Sequence, residues 1–188
     1  GRLVSEDRVL FPNLAPYEAL SAVAVMGAEH FIPMARLAPE RIAASFDLCL
    51  TFFRALQRAK HPESVYHMIN WNYMPPSGSS IIHPHLQVFA GSFAPNLMRL
   101  ELSAAHAYRD SQGSNYWDDL VAAERSAGGR YLGRIGRTSW LSAFAPMGIA
   151  GDVVAVVDDI HCTLELTPDD LADLALGLTR AMAAYDDM

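Results

Sequence analysis

The sequence predicts an α+β fold of two repeated halves, the second incomplete. Three observations predict it. Short apolar runs bounded by Pro, Asn and Gly read as strands of an antiparallel sheet, and residues 82–89 alternate strictly. Longer stretches with apolar residues at three-four spacing read as amphipathic helices. The order of signals in 8–40 then returns in 138–169, the mark of an internal repeat.

Taken in order, residues 8–14 read as a strand (Val9, Leu10, Phe11) that ends in a turn at Pro12-Asn13, closed by Pro16-Tyr17. Residues 21–26 form a second buried strand, followed by Gly27 and His30. Pro39 and Glu40 open a helix, since Pro suits the first turn and an acid suits the positive helix end. Ile42, Phe46, Cys49, Leu50, Phe53 and Leu56 carry its apolar stripe until His61-Pro62 stops it. A strand at 65–70 leads into the central loop, with His67 expected to be structural.

Beyond the strand at 82–89, helices are predicted from about Leu97 to Arg109 and from Asn115 to Arg125. Ser126-Ala127-Gly128-Gly129 is the best internal boundary, which divides the chain into 1–128 and 129–188. After it, residues 138–146 echo 8–16, and 154–161 echo 23–30. Thr167 is a good N-cap for a last helix striped by Leu171, Leu174, Leu178, Met182 and Tyr185. The first copy continues from its helix into two more strands, while the second stops at Met188. A sheet cut there would leave an unpaired edge. The chain starts with Gly1 rather than Met and is expected to be part of a longer protein.

Composition narrows the function. The net charge of -7 with no basic run argues against nucleic-acid binding but not against a small phosphorylated ligand. Cys49 and Cys162 form no disulfide framework, which fits a reducing cytoplasm. No apolar stretch approaches the roughly 20 residues that span a bilayer, and there is no signal-peptide pattern.

The chemistry concentrates in 70–90. On the alternating strand His83, His85, Gln87 and Phe89 share one face, and Ile82, Pro84, Leu86 and Val88 share the other, expected on the core. Before it, Gly78 and the hydroxyls of Ser77, Ser79 and Ser80 make a loop of the kind whose N–H groups cradle anions. An imidazole beside an anion cradle suggests nucleophilic attack on phosphorus.

His83-Pro84-His85-Leu86-Gln87 resembles the His-Pro-His-x-Gln signature of the galactose-1-phosphate uridylyltransferases, the transferase branch of the histidine-triad superfamily. The resemblance implies a histidine-triad-like antiparallel sheet with helices on one side. It implies that His85 is the nucleophile, that Gln87 binds the α-phosphate, and that Asn72 and Ser80, with Gly78 and Ser79 beside it, contact the phosphates. Asn13 falls where the family binds nucleotide and Val23 where it packs on the base. Asn13 also reads as an Asx turn, and Leu14 replaces the family's usual aspartate, so the base stays open.

The resemblance also implies metals. His30 and His83 match two ligands of a structural zinc, which takes four. The family's Cys-x-x-Cys would lie upstream of this chain. Glu101 falls at the spacing of a second-metal ligand, although the family's distant histidine partners have no counterpart, and it reads equally as a solvated helix carboxylate.

The mechanism implied is double displacement, with UMP passing from a UDP-hexose through a uridylyl-histidine to a hexose-1-phosphate, in a cytoplasmic homodimer of galactose metabolism. A glutamine cannot serve as general base for water, which favours transfer over hydrolysis. The rivals are an adenylyl-transferring phosphorylase of dinucleoside polyphosphates or ADP-sugars, and a nucleotide-binding domain without catalysis.

Overall fold

The computed structural model describes residues 1–148 and 151–186; residues 149–150 and the last two of the expected 129–188 segment lie outside the described residues. Among the described residues the strands are β1 (Leu3–Ser5), β2 (Arg8–Pro12), β3 (Leu20–Val25), β4 (Tyr66–Asn70), β5 (His85–Gly91), β6 (Tyr131–Ile135), β7 (Thr138–Ser142) and β8 (Val153–Val157). The helices are α1 (Pro39–Arg58), α2 (Asn96–Gln112), α3 (Tyr116–Ala127) and α4 (Pro168–Asp186). They gather into two compact units, the first Gly1–Phe93 with Cys162–Met188, the second Ala94–His161. This division differs from the 128/129 boundary, because α2 and α3 join β6-β7-β8 in the second unit and α4 joins the first.

In the first unit β1-β2-β3-β5-β4 form one antiparallel sheet in that order. One face is the core. It carries Leu10, Ala22, Ala24, Leu86 and Val88, all nearly sealed, against Ile42, Cys49, Leu50 and Phe53 of α1. The alanines of β3 leave room for the large side chains of the helix, the alternation of small and large that close packing needs. Burial pushes the Cys49 thiol up to about 12, so it is inert. Helix α1 ends where Lys60 takes a left-handed φ of 50° and His61 N–H reaches back to Leu56 O at 3.0 Å.

Helix α4 packs on α1 and adds Leu171 and Ala175 to the same core. Thr167 caps it as expected: its hydroxyl accepts from Asp170 N–H at 3.3 Å, while the Asp170 carboxylate accepts from Thr167 N–H at 2.7 Å. Arg54 of α1 donates to Leu166 O at 2.8 Å and ties down the approach to α4.

His67 is structural, on the core face of β4, stacked on Phe53 with ring centroids 4.5 Å apart and its Nε2 3.0 Å from Ser64 Oγ. Burial lowers its pKa from the ordinary 6.5. The unfolded chain therefore takes up this proton first as pH falls, and His67's contribution to stability, full above 6.5, declines as pH drops toward the folded value. The urea midpoint should fall between about pH 7.5 and 5.5, and His67→Gln should flatten that slope; an unchanged slope would discount the buried ring.

In the second unit β6-β7-β8 form an antiparallel sheet packed against α3, with α2 against α3. The repeat is real to the residue. The pairs Phe11/Val23 and Val9/Val25 of the first copy return as Leu141/Val154 and Ser139/Val156. The tight turns match as well, with φ of 53° at Glu6 and 52° at Gly136. Short β1 and β6, which carry no clear period of their own, go beyond the expected strands.

Candidate active site

The sheet face opposite α1 holds the site. Pairing across β2, β3, β5 and β4 places Phe11, Val23, Gln87 and Asn70 in one row. The next row is Val9, Val25 and His85, and on the other side lie Ser21, Phe89 and Met68. His85, Gln87 and Val23 thus meet on one face, which the alternation predicted for His85 and Gln87. Tyr17 stands edge-on to Phe89 at 6.3 Å.

Strand β5 begins at His85, not at Ile82, and Ile82 is 49% exposed instead of facing the core. Pro84 is the reason. It has no N–H to donate, so the ladder opens with its carbonyl, which accepts from Met26 N–H at 3.0 Å. The irregular backbone at His83 brings its carbonyl 2.8 Å from His85 Nδ1. A carbonyl can only accept, so Nδ1 carries a proton, and in the neutral ring Nε2 then has the lone pair. His85 is 9% exposed, on the face away from α1.

His83 turns the other way. Its Nε2 lies 2.8 Å from Gly27 O, which makes Nε2 the protonated nitrogen and leaves the Nδ1 lone pair facing His30 Nδ1 at 3.2 Å. The structure thus joins the two histidines that the sequence singled out. A carbonyl behind a histidine is the usual outer partner of a metal ligand. Yet no group of three or more His, Cys, Asp or Glu is placed to hold a metal among the described residues. The pair fits half of a four-ligand zinc site. Glu101 is exposed on α2 in the second unit and lines a cavity there with Tyr108, Tyr116 and Trp117.

Gly27, which the sequence reading passed over, sets His83. Its φ is 152°, and a Cβ there would lie 2.1 Å from Arg41 Nη1. That guanidinium donates to Met26 O at 3.1 Å and to Glu29 at 3.1 Å, anchoring the segment that carries His30. Gly27→Ala should displace Arg41, cost roughly 1–3 kcal/mol, and loosen His83. Thermal melting and the His83 imidazole NMR shifts check it; a variant as stable as the parent would discount the clash.

The Gly/Ser loop differs from the expected cradle. Pro75–Ser77 is a 3-10 turn, so the N–H groups of Ser77, Gly78 and Ser79 go to Met74 and Pro75 carbonyls at 2.9 to 3.4 Å. Ser79 is buried and its hydroxyl donates to Ile81 O at 2.5 Å. Those donors are spent inside the loop. Gly78 instead makes room: its φ is 95°, and a Cβ would meet Asn72 Nδ2 at 3.4 Å. Asn72 Oδ1 in turn accepts from Asn70 at 3.3 Å, which links the loop to the Gln87 row. Asn70 was missed because nothing but the register places it beside Gln87. Ser80 stays exposed.

Asn13 does form the Asx turn, its Oδ1 accepting from Ala15 N–H at 3.1 Å. Its Nδ2 makes only a long contact of 3.4 Å with Ser21 Oγ and can still donate to a ligand. Leu14 is 99% exposed.

Fold and site together define an α+β protein with two repeated halves and a His-Pro-His segment that leads into β5 in the first. No family model matches the chain. An uncharacterized protein of Archaeoglobus fulgidus is 32% identical over 181 residues, 95% of this chain and 52% of that one, so the chain spans about half that relative's length. A mutant uridylyltransferase structure superposes with a TM-score of 0.80 at 19% identity, over 94% of this chain and 64% of that one. An ADP-glucose phosphorylase from Arabidopsis thaliana with bound ADP-glucose superposes at 0.72 and 15% identity, over 96% and 62%. The fold is the uridylyltransferase-like one. No described helix is long and apolar enough to cross a membrane.

Proposed function

We propose that the protein is a nucleotidyltransferase in which His85 takes a nucleotidyl group from a nucleoside diphosphate hexose and passes it to a hexose-1-phosphate, UDP-glucose being the donor first in line. The 2.8 Å contact between His85 Nδ1 and His83 O carries the reading, because it holds Nε2 as the nucleophilic nitrogen. Nε2 attacks the α-phosphorus, the bond to the bridging oxygen breaks, and hexose-1-phosphate leaves. The nucleotidyl-imidazolium keeps its proton on Nδ1, which donates to the His83 carbonyl, whose dipole favours the positive ring. A phosphate oxygen of the second sugar phosphate then attacks and the N–P bond breaks. No net proton is transferred.

Gln87 donates to the non-bridging oxygens as charge builds, with Asn72 and Ser80 as further donors. Val23 and Phe11 offer an apolar floor for the base, and Asn13 Nδ2 a donor at its edge. The test is incubation with UDP-glucose radiolabelled at the α-phosphate, then mapping of the acid-labile label. Label on His85 supports the reading, and its absence at saturating nucleotide sinks it. The likeness to a phosphorylase solved with ADP-glucose supports a second reading, adenylyl transfer; ADP-glucose outcompeting UDP-glucose for His85 would establish that base instead.

His30 and His83 would supply two of the ligands of a zinc ion, tying the segment after β3 to the start of β5. The chemistry such an ion supplies is structural. Zinc should raise the melting temperature, and His30→Ala should abolish the rise; a rise that survives the change would place the ion elsewhere.

A further inference from the structure

We propose that the second unit carries a binding site of its own, non-catalytic, for a flat heteroaromatic of nucleobase size that bears an N–H donor. A cavity of about 260 Å³ lies between α3 and the sheet of β6-β7-β8. Its floor is Leu141 and Val154, the residues that stand in the second copy where Phe11 and Val23 stand in the first. Its walls are Tyr116 and Trp117, edge to face at 5.1 Å, and Phe144 at the mouth. Such a volume admits a single ring system rather than a whole nucleotide sugar.

The polar group is Glu124, which lines the cavity and is only 6% exposed. Arg130 Nε and Nη2 both donate to its Oε1, at 2.9 and 2.7 Å. The same guanidinium lies over the Phe144 ring at 4.9 Å. Carboxylate, guanidinium and aromatic ring thus form one braced group. Glu124 Oε2 is sealed from solvent and accepts no hydrogen bond. A buried acceptor without a partner is costly, and a donor N–H brought by a flat ligand, met by a small turn of the carboxylate into the cavity, would relieve that cost. No histidine lines this cavity, so it can bind and not transfer.

The site rests on the nucleotide reading of the first copy only for the choice of probe. The experiment titrates the full chain with adenosine and with uridine by calorimetry, in a Val23→Arg background that blocks the first-copy row. One equivalent should bind. Ala143→Trp, which fills the cavity, should abolish it, and Glu124→Gln should weaken it roughly tenfold, the size of a lost hydrogen bond to a charged group. Phe144 is 79% exposed, so Phe144→Ala leaves the core intact and should also weaken binding severalfold. No binding by Val23→Arg, or binding that ignores both Ala143→Trp and Phe144→Ala, overturns the proposal. Label on His85 is read separately in the wild type: binding in the second unit without label there would sink transfer and leave this site standing.

Discussion

His85→Ala should bring covalent nucleotide label to background and slow transfer at least roughly 10³-fold, the scale expected when a nucleophile is removed from a covalent mechanism. Stability should barely change. His85 sits at the first residue of β5 on the face away from α1, and its one described hydrogen bond, to His83 O, is worth about 1 kcal/mol. Loss of label with an unchanged melting curve therefore reports chemistry and not folding. Gln87→Ala separates nucleophile from charge stabiliser. It should keep the label but slow its formation roughly 10²-fold, as when an oxyanion donor is lost. Label that persists in His85→Ala would place the nucleophile elsewhere, and the tautomer argument from the His83 carbonyl would fall with it.

Phe53→Ala should be the most damaging single change to the fold, at about 3–5 kcal/mol. Phe53 is fully buried in α1, reaches the core face of the sheet, and stacks on His67 at 4.5 Å. Truncation leaves a cavity that the rigid alanines of β3 cannot close, because they have no side chain to move into it. At about 2–4 °C per kcal/mol for a chain of this size, the first unit should melt roughly 6–20 °C lower. Calorimetry can follow it, and the second unit, which lacks this residue, gives a separate reference. A drop below about 3 °C would mean that the helix is not sealed on the sheet.

How much of this was legible in advance depends on the range of the interaction. Alternation placed His85 and Gln87 on one face, and three-four spacing placed Phe53 and Ile42 on the core side of α1, because both periods are set by backbone geometry alone. The same reasoning ran too far at Ile82, where Pro84 interrupts the ladder one residue before the strand begins. It also misread the Gly/Ser loop. Composition says that such a loop has donors, but not that the 3-10 turn at Pro75–Ser77 turns them inward. Gly27 gave no signal at all, since its importance lies in an arginine fourteen positions on (41 − 27) and a histidine fifty-six on (83 − 27), both brought to it by the fold.

By itself the sequence determined the helices and most of the strands, the repeat, the face that carries His85 and Gln87, and the pairing of His30 with His83 as candidates for one job. Tertiary structure alone decided which nitrogen of His83 and of His85 carries the proton, which loop donors are already spent, and that α4 leaves the strands of its own copy to share the core of the first unit. The physical reason is that periodicity is a local property of the backbone, whereas a tautomer, a satisfied N–H or a choice of packing partner depends on groups that meet only after the chain has closed over long distances.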